Sequence, residues 1–289
     1  MERYTKKFMP YRFGHAICNE CFVDWEFSDV CRAVKKAGYE GLEIAPFTLT
    51  PEPATLTTAR RKEVSRIMRD EGLEFVGLHW LMVAPKGLHV TTDDEALRKK
   101  SWRHIHDMVD LCADIDEGHN GKRLMVFGSP KQREALPGVS LKEATKRFRD
   151  GFAEIAPHAE ERGVTMLVES LGRNQCNIVN TAAEAVEIMD SIGSPAVQTM
   201  FDTHNAVDET EPHADVVGKY YDKIRHIHVN ELDGGHCGTG DYDFKPLLRT
   251  LAARKYTGWV SLEAFIFEPG GERIANESLR YLEGEIAKL

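Results

Sequence analysis

Four residues able to bind a cation or move a proton close four consecutive apolar runs late in the chain. They are Glu169 (TMLVES, 165–170), Asp202 (VQTMFD, 197–202), His228 (IRHIHVN, 224–230) and Glu263 (WVSLEAF, 259–265). A carboxylate at the end of an apolar strand is costly to bury unless it is paired, hydrogen-bonded or bound to a cation. Singly, each reads as a strand-end group satisfied by a neighbouring loop. Four in register at successive strand ends favour convergence on one divalent ion. Three carboxylates and one imidazole make a mostly oxygen donor set, suited to Mn²⁺ or Mg²⁺, with Co²⁺ or Zn²⁺ as alternatives.

Such convergence needs a scaffold that gathers strand ends. Four further short apolar runs precede these, at 12–19, 41–46, 74–80 and 123–129. All eight lack alternation, as expected of parallel strands covered on both faces. Amphipathic stretches separate them, at 28–37, 57–70, 93–114, 140–162, 181–192, 212–221, 244–255 and 272–288. The first opens on Ser28 as an expected cap and places Val30, Ala33, Val34 and Ala37 on one face. Gly38, Gly72, Gly163 and Gly193 follow four of the helices as stop signals. Eight strand–helix units in 289 residues predict an α/β (β/α)8 TIM barrel, with active groups at the C-terminal strand ends. A doubly wound open sheet is the alternative, but no GxGxxG follows any strand. No Pro-rich or Gly/Ser-rich linker interrupts the chain, so residues 1–289 read as a single domain.

With 37 Lys+Arg against 46 Asp+Glu, the formal charge is −9, which argues against a nucleic-acid partner. No apolar run approaches the roughly 18 residues of a membrane span. The first ten residues carry basic groups without an apolar stretch behind them, so no signal peptide is expected and the protein reads as cytoplasmic. Cys18 and Cys21 form a CxxC without a second ligand pair, so free thiols are expected.

The segments VES (168–170), MFDTHN (200–205), IRHIHVNE (224–231), GTGDYDF (238–244) and GWVSLEAF (258–265) resemble the sugar-phosphate isomerase/epimerase family. Its members have xylose-isomerase-like barrels and include ketose 3-epimerases, hydroxypyruvate isomerases and inosose-converting enzymes. The resemblance implies one divalent ion, commonly Mn²⁺, on Glu169, Asp202, His228 and Glu263, with the two glutamates also serving as acid and base. A cation polarising a carbonyl and its neighbouring hydroxyl would acidify the adjacent C–H and stabilise an enediolate. Bases on opposite faces of the sugar would invert a carbon; one base on one face would shift the carbonyl. The implied activity is therefore a metal-dependent isomerase or epimerase of a small keto- or hydroxy-sugar. A lyase or dehydratase acting on a keto-sugar, inosose or 3-keto-glycoside shares the first step and is the alternative. The resemblance also implies a homodimer or homotetramer.

Around the four ligands the pattern departs from the ketose 3-epimerases. Gln175 stands where they carry a glutamate six residues after the first ligand, and Gly234 replaces an arginine. His204 lies two residues after Asp202 instead of three, with Asn205 at three. Arg173 and Glu231 remain in place. His204, Arg173, Gln175, Glu231, His79 and Trp80 are thus candidate substrate contacts, with His15 and Glu43 open to the same role. The loops 233–240 and 269–273 could bind phosphate through backbone N–H groups, but Asp233, Glu268 and Glu272 nearby disfavour it. Asp241 and Asp243 read as caps of the next helix. An endonuclease-IV-type nuclease would need further histidine ligands and a basic face, and xylose isomerase proper further carboxylates.

Overall fold

In a computed structural model, residues 11–119 and 123–289 are described; the N-terminal segment read above for a signal peptide lies outside them. Eight parallel strands close into a barrel in sequence order. They are β1 (Gly14–Cys18), β2 (Gly41–Ile44), β3 (Glu74–Leu78), β4 (Leu124–Phe127), β5 (Thr165–Val168), β6 (Val197–Asp202), β7 (Ile224–Val229) and β8 (Trp259–Leu262). The expected (β/α)8 barrel is the observed fold.

Helices of seven to 22 residues pack outside: α1 (Phe27–Ala37), α2 (Thr58–Asp70), α3 (Glu95–Ile115), α5 (Leu141–Arg162), α6 (Ala182–Ile192), α7 (His213–Lys219), α8 (Lys245–Ala253) and α9 (Gly271–Ile286). A short α4 (Pro130–Arg133) follows β4 and had no signature in the apolar pattern, because one turn is too brief to show a period. Ser28 is not a cap. Helix α1 begins one residue earlier, at Phe27, and its N-cap Glu26 makes no side-chain cap bond, since burial of Phe27 draws that residue into the first turn. Asp243 does accept from Lys245 N at 3.1 Å, beside the start of α8.

Each strand shows one row of side chains to the helix layer and the other to the barrel axis, as period two demands. The axial row forms a small cluster of Ala16, Val76, Leu124, Val126, Leu167 and Met200, with Trp259 packed against it. On the outer face, Gly151 of α5 admits Trp102 of α3; a Cβ there would lie 1.8 Å from the indole. His15 alternates with axial Ala16 and so faces the helix layer near the start of β1, where its neighbours are Phe13, Glu40 and Arg12. It is remote in register from the strand ends that carry chemistry.

Towards the C-terminal strand ends the axial layer becomes polar. Strand register places Cys18 opposite Glu43, Asp202 opposite His228, and His228 opposite Ser261. Among the described residues no helix is long and apolar enough to cross a membrane.

Candidate active site

Asp202 is the last residue of β6 and His228 the penultimate residue of β7, while Glu169 and Glu263 stand one residue beyond β5 and β8. All four are buried, and one donor atom from each lies within 4.8 Å of the others. His228 Nδ1 is 2.9 Å from Glu263 Oε2 and 3.6 Å from Asp202 Oδ2. Strand register, a backbone property, thereby brings together groups separated by up to 94 positions in the chain (263 − 169).

Neutral donors hold the carboxylates in place. Asn205 Nδ2 donates to Glu169 Oε1 at 2.9 Å, and Trp80 Nε1 to Glu263 Oε1 at 2.7 Å. Asn205 N donates to Asp202 Oδ1 at 2.8 Å, and Asn230 Nδ2 approaches Asp202 Oδ2 at 3.3 Å. Gly128, just past β4, leaves room for Glu169: a Cβ there would sit 2.2 Å from Oε2.

Burial, reinforced by the charges of Glu263 and Asp202, pushes the Glu169 carboxyl up to about 8. Burial also lifts Glu263, against the pull of His228. Burial opposes the charged form of Asp202 too, but the hydrogen bond and charge of His228 outweigh it and hold this group below the usual carboxylate range. His228 is raised well above an ordinary imidazole: burial acts against its charge, and Glu43 and Glu263 overcome it. The cluster thus concentrates three carboxyls around one imidazole with no lysine or arginine among the donors. A divalent cation fits this donor set, since it would replace the protons that otherwise relieve the crowding of negative charge.

The remaining candidates fall into separate groups. Trp80, Gln175 and Phe265 line a cleft of about 80 Å³ that reaches Glu169 and Glu263, together with Gly128 and Ser129. Gln175 Nε2 donates to Asn205 Oδ1 at 2.7 Å, so it supports Glu169 through Asn205. His79 also borders the cleft, but its Nε2 is 2.7 Å from buried Glu20. His204 donates through Nδ1 to Leu232 O at 2.7 Å and packs its ring 4.9 Å from Phe265. Glu231 is directed elsewhere: its oxygens accept from Gly238 N at 2.7 Å and Tyr242 N at 3.0 Å, tying down the loop after β7. Arg173 pairs with Asp208 at 3.1 Å and is 60% exposed, outside the cleft lining. All six described cysteines are free thiols and buried.

Asn205, Asn230, Gly128, Ser129 and Phe265 had not been singled out for the site. Asn205, Asn230 and Phe265 lie within the motifs above, three residues after Asp202, two after His228 and two after Glu263, and that spacing is the available signal. Gly128 and Ser129 carry no chemical signature, because their contribution is room and backbone shape.

Residues 31–284 match the family model described as xylose isomerase-like TIM barrel. A probable ketose 3-epimerase of Synechocystis is 24% identical over 274 residues, 88% of either chain. An L-ribulose 3-epimerase of Methylomonas is 22% identical over 258 residues, covering 88% of this chain and 84% of that protein. Among solved structures, the 3-keto-D-glucoside 4-epimerase of E. coli superposes with a TM-score of 0.80 at 21% identity, over 94% of this chain and all of that one. Fold, matched span and the shared barrel architecture agree, and the chain belongs to the xylose isomerase-like TIM barrel family.

Proposed function

We propose that this protein is a divalent-metal-dependent sugar epimerase that inverts a hydroxyl-bearing carbon next to a keto group of a small carbohydrate. The observation that carries the reading is the pairing of Glu169 and Glu263. They rise from β5 and β8, border one cleft, and are each fixed through one oxygen by a neutral donor. The names of the three relatives support it, because in each the inverted carbon neighbours a keto carbon. All three are epimerases, so the elimination chemistry kept open from the sequence has no support among them.

Glu169, Asp202, His228 and Glu263 would hold the ion. Bound there, it would supply Lewis-acid polarisation of the sugar carbonyl and the adjacent hydroxyl. The chain's own residues account for the proton. One glutamate accepts the C–H proton from one face of the sugar, leaving an enediolate. The other glutamate donates a proton to the same carbon from the opposite face, giving the inverted alcohol. Trp80 and Phe265 wall the cleft and exclude water from the carbanion.

Incubating Mn²⁺-loaded protein with a panel of ketoses and 3-keto-glycosides in D₂O tests this reading. The expected result is one deuterium at the inverted carbon and no loss of water or aglycone. Glu169→Gln and Glu263→Gln should each abolish exchange while leaving sugar binding measurable. Exchange that persists in both variants overturns the acid/base assignment.

A further inference from the structure

The barrel axis directly beneath the four-residue cluster holds a carboxylate that the proposed chemistry does not use. Glu43, the third residue of β2, is fully buried and accepts from three sides. His226 Nε2 lies 2.8 Å and Ser261 Oγ 2.9 Å from Oε2. His228 Nε2 lies 3.2 Å from Oε1 and 3.1 Å from Oε2. Cys18 Sγ lies 3.8 Å from His228 Nε2, and His79 Nδ1 lies 3.9 Å from Glu43 Oε1.

An imidazole cannot present both nitrogens as lone pairs while hydrogen-bonding a carboxylate. A nitrogen that binds a cation must present its lone pair, so the proton of the neutral ring then sits on the other nitrogen. Both nitrogens face carboxylates, Nε2 toward Glu43 at 3.1 Å and Nδ1 toward Glu263 at 2.9 Å and Asp202 at 3.6 Å. A cation held among Glu169, Asp202 and Glu263 would therefore take Nδ1 and leave the proton on Nε2, against Glu43. We infer that Glu43 is the positioning residue of His228: it holds the Nε2–H and so fixes the tautomer and ring plane that turn Nδ1 toward the cation. This rests on the reading of His228 as a metal ligand. The other two donors orient the Glu43 carboxylate. Ser261 is the register partner of His228 across β7–β8, and His226 is its neighbour but one on β7. Cys18, Glu43 and His228 also form a compact donor group, and a cation held there would take Nε2 instead. That arrangement would forfeit the hydrogen bonds between His228 Nε2 and Glu43.

Two measurements decide it. In Zn²⁺-loaded wild-type protein, long-range ¹H–¹⁵N spectra should show the His228 proton on Nε2 and the metal-shifted nitrogen at Nδ1. The reverse assignment overturns the inference, whether or not any variant folds. Secondly, Glu43→Gln preserves size and one acceptor oxygen but removes the charge. Its Mn²⁺ dissociation constant by calorimetry should rise by about tenfold or more, the scale found for such supporting groups, with an unchanged circular dichroism spectrum. Folded Glu43→Gln that binds Mn²⁺ within twofold of wild type overturns it. Asp202→Asn separates this outcome from failure of the metal reading itself. If Asp202→Asn also binds normally, the four-residue ion site falls; if only Glu43→Gln does, the site stands and the role of Glu43 does not.

Discussion

The indole N–H of Trp80 donates to Glu263 Oε1 at 2.7 Å, joining the ends of β3 and β8 across 183 residues of sequence. Trp80 achieves this with its backbone in the left-handed region, φ 51°, which turns the side chain over the barrel mouth. A side chain that reads as a candidate substrate contact is also the clamp of a proposed acid/base group. Trp80→Phe should therefore keep most of the wall and lose the clamp. A hydrogen bond to a charged group is worth about 1.5–3 kcal/mol, so kcat should fall by about 10- to 100-fold, and Mn²⁺ affinity should weaken too because Glu263 is also a proposed ligand. Steady-state rates alongside calorimetry check this, and unchanged kcat would remove Trp80 from the machinery.

Gly128 gives a test of room. Its absent Cβ is what lets Glu169 Oε2 occupy its place, 2.2 Å from where a methyl group would stand. Gly128→Ala should displace the carboxylate, cut both metal affinity and turnover by at least about tenfold, the scale of a misplaced catalytic group, and leave the barrel folded. Full activity in this variant would mean that Glu169 has slack the geometry does not show.

Metal uptake should depend on pH in a definite direction. The Glu169 carboxyl, raised to about 8, must lose its proton to bind a cation. Affinity should climb from pH 6 towards 8, by about tenfold per unit for each proton released, with Glu263 and His228 adding to Glu169 because both are also raised. The corresponding stability runs the other way. A carboxyl with a raised folded-state pKa contributes stability that is complete below its unfolded value near 4.5 and is lost as pH rises through 8. Metal-free protein should thus lose stability across that window from this group, and added Mn²⁺ should restore it, by about 2.7 kcal/mol at a hundredfold excess over Kd. Melting temperatures with and without Mn²⁺ from pH 5 to 8.5 provide the measurement. A Mn²⁺-induced rise that does not grow with pH contradicts the assignment.

Arg173 offers a contrast. Its position in the motif suggests a substrate contact, yet its guanidinium pairs with Asp208 at 3.1 Å on an exposed surface. Exposed pairs contribute about 0–1 kcal/mol, so Arg173→Ala should leave kcat/KM within about fivefold. A hundredfold loss would show that the side chain swings into the cleft when sugar binds.

Glu231 and Asn205 show how far motif reading reaches. Both follow a proposed ligand by three residues, and both are buried. Asn205 turns towards Glu169 and Asp202, whereas Glu231 turns away to bind Gly238 N and Tyr242 N. Spacing alone carries no information on that choice, because the loop conformation after each strand sets it. Likewise Gln175, standing where related enzymes have a carboxylate, is a partner of Asn205 and acts on Glu169 at one remove.

The eight apolar runs, the helices between them and four polar residues at strand ends are legible along the chain. Each is a local pattern: a run of buried residues, a 3.6-residue period, a costly charge in an apolar setting. Closure of the sheet then had to gather Glu169, Asp202, His228 and Glu263 at one end. Which group meets which was settled only when the sheet closed. Glu43 reaches His228 across 185 residues and Trp80 reaches Glu263 across 183. Those pairings depend on strand register and barrel closure, which set distances between side chains that no window along the chain contains.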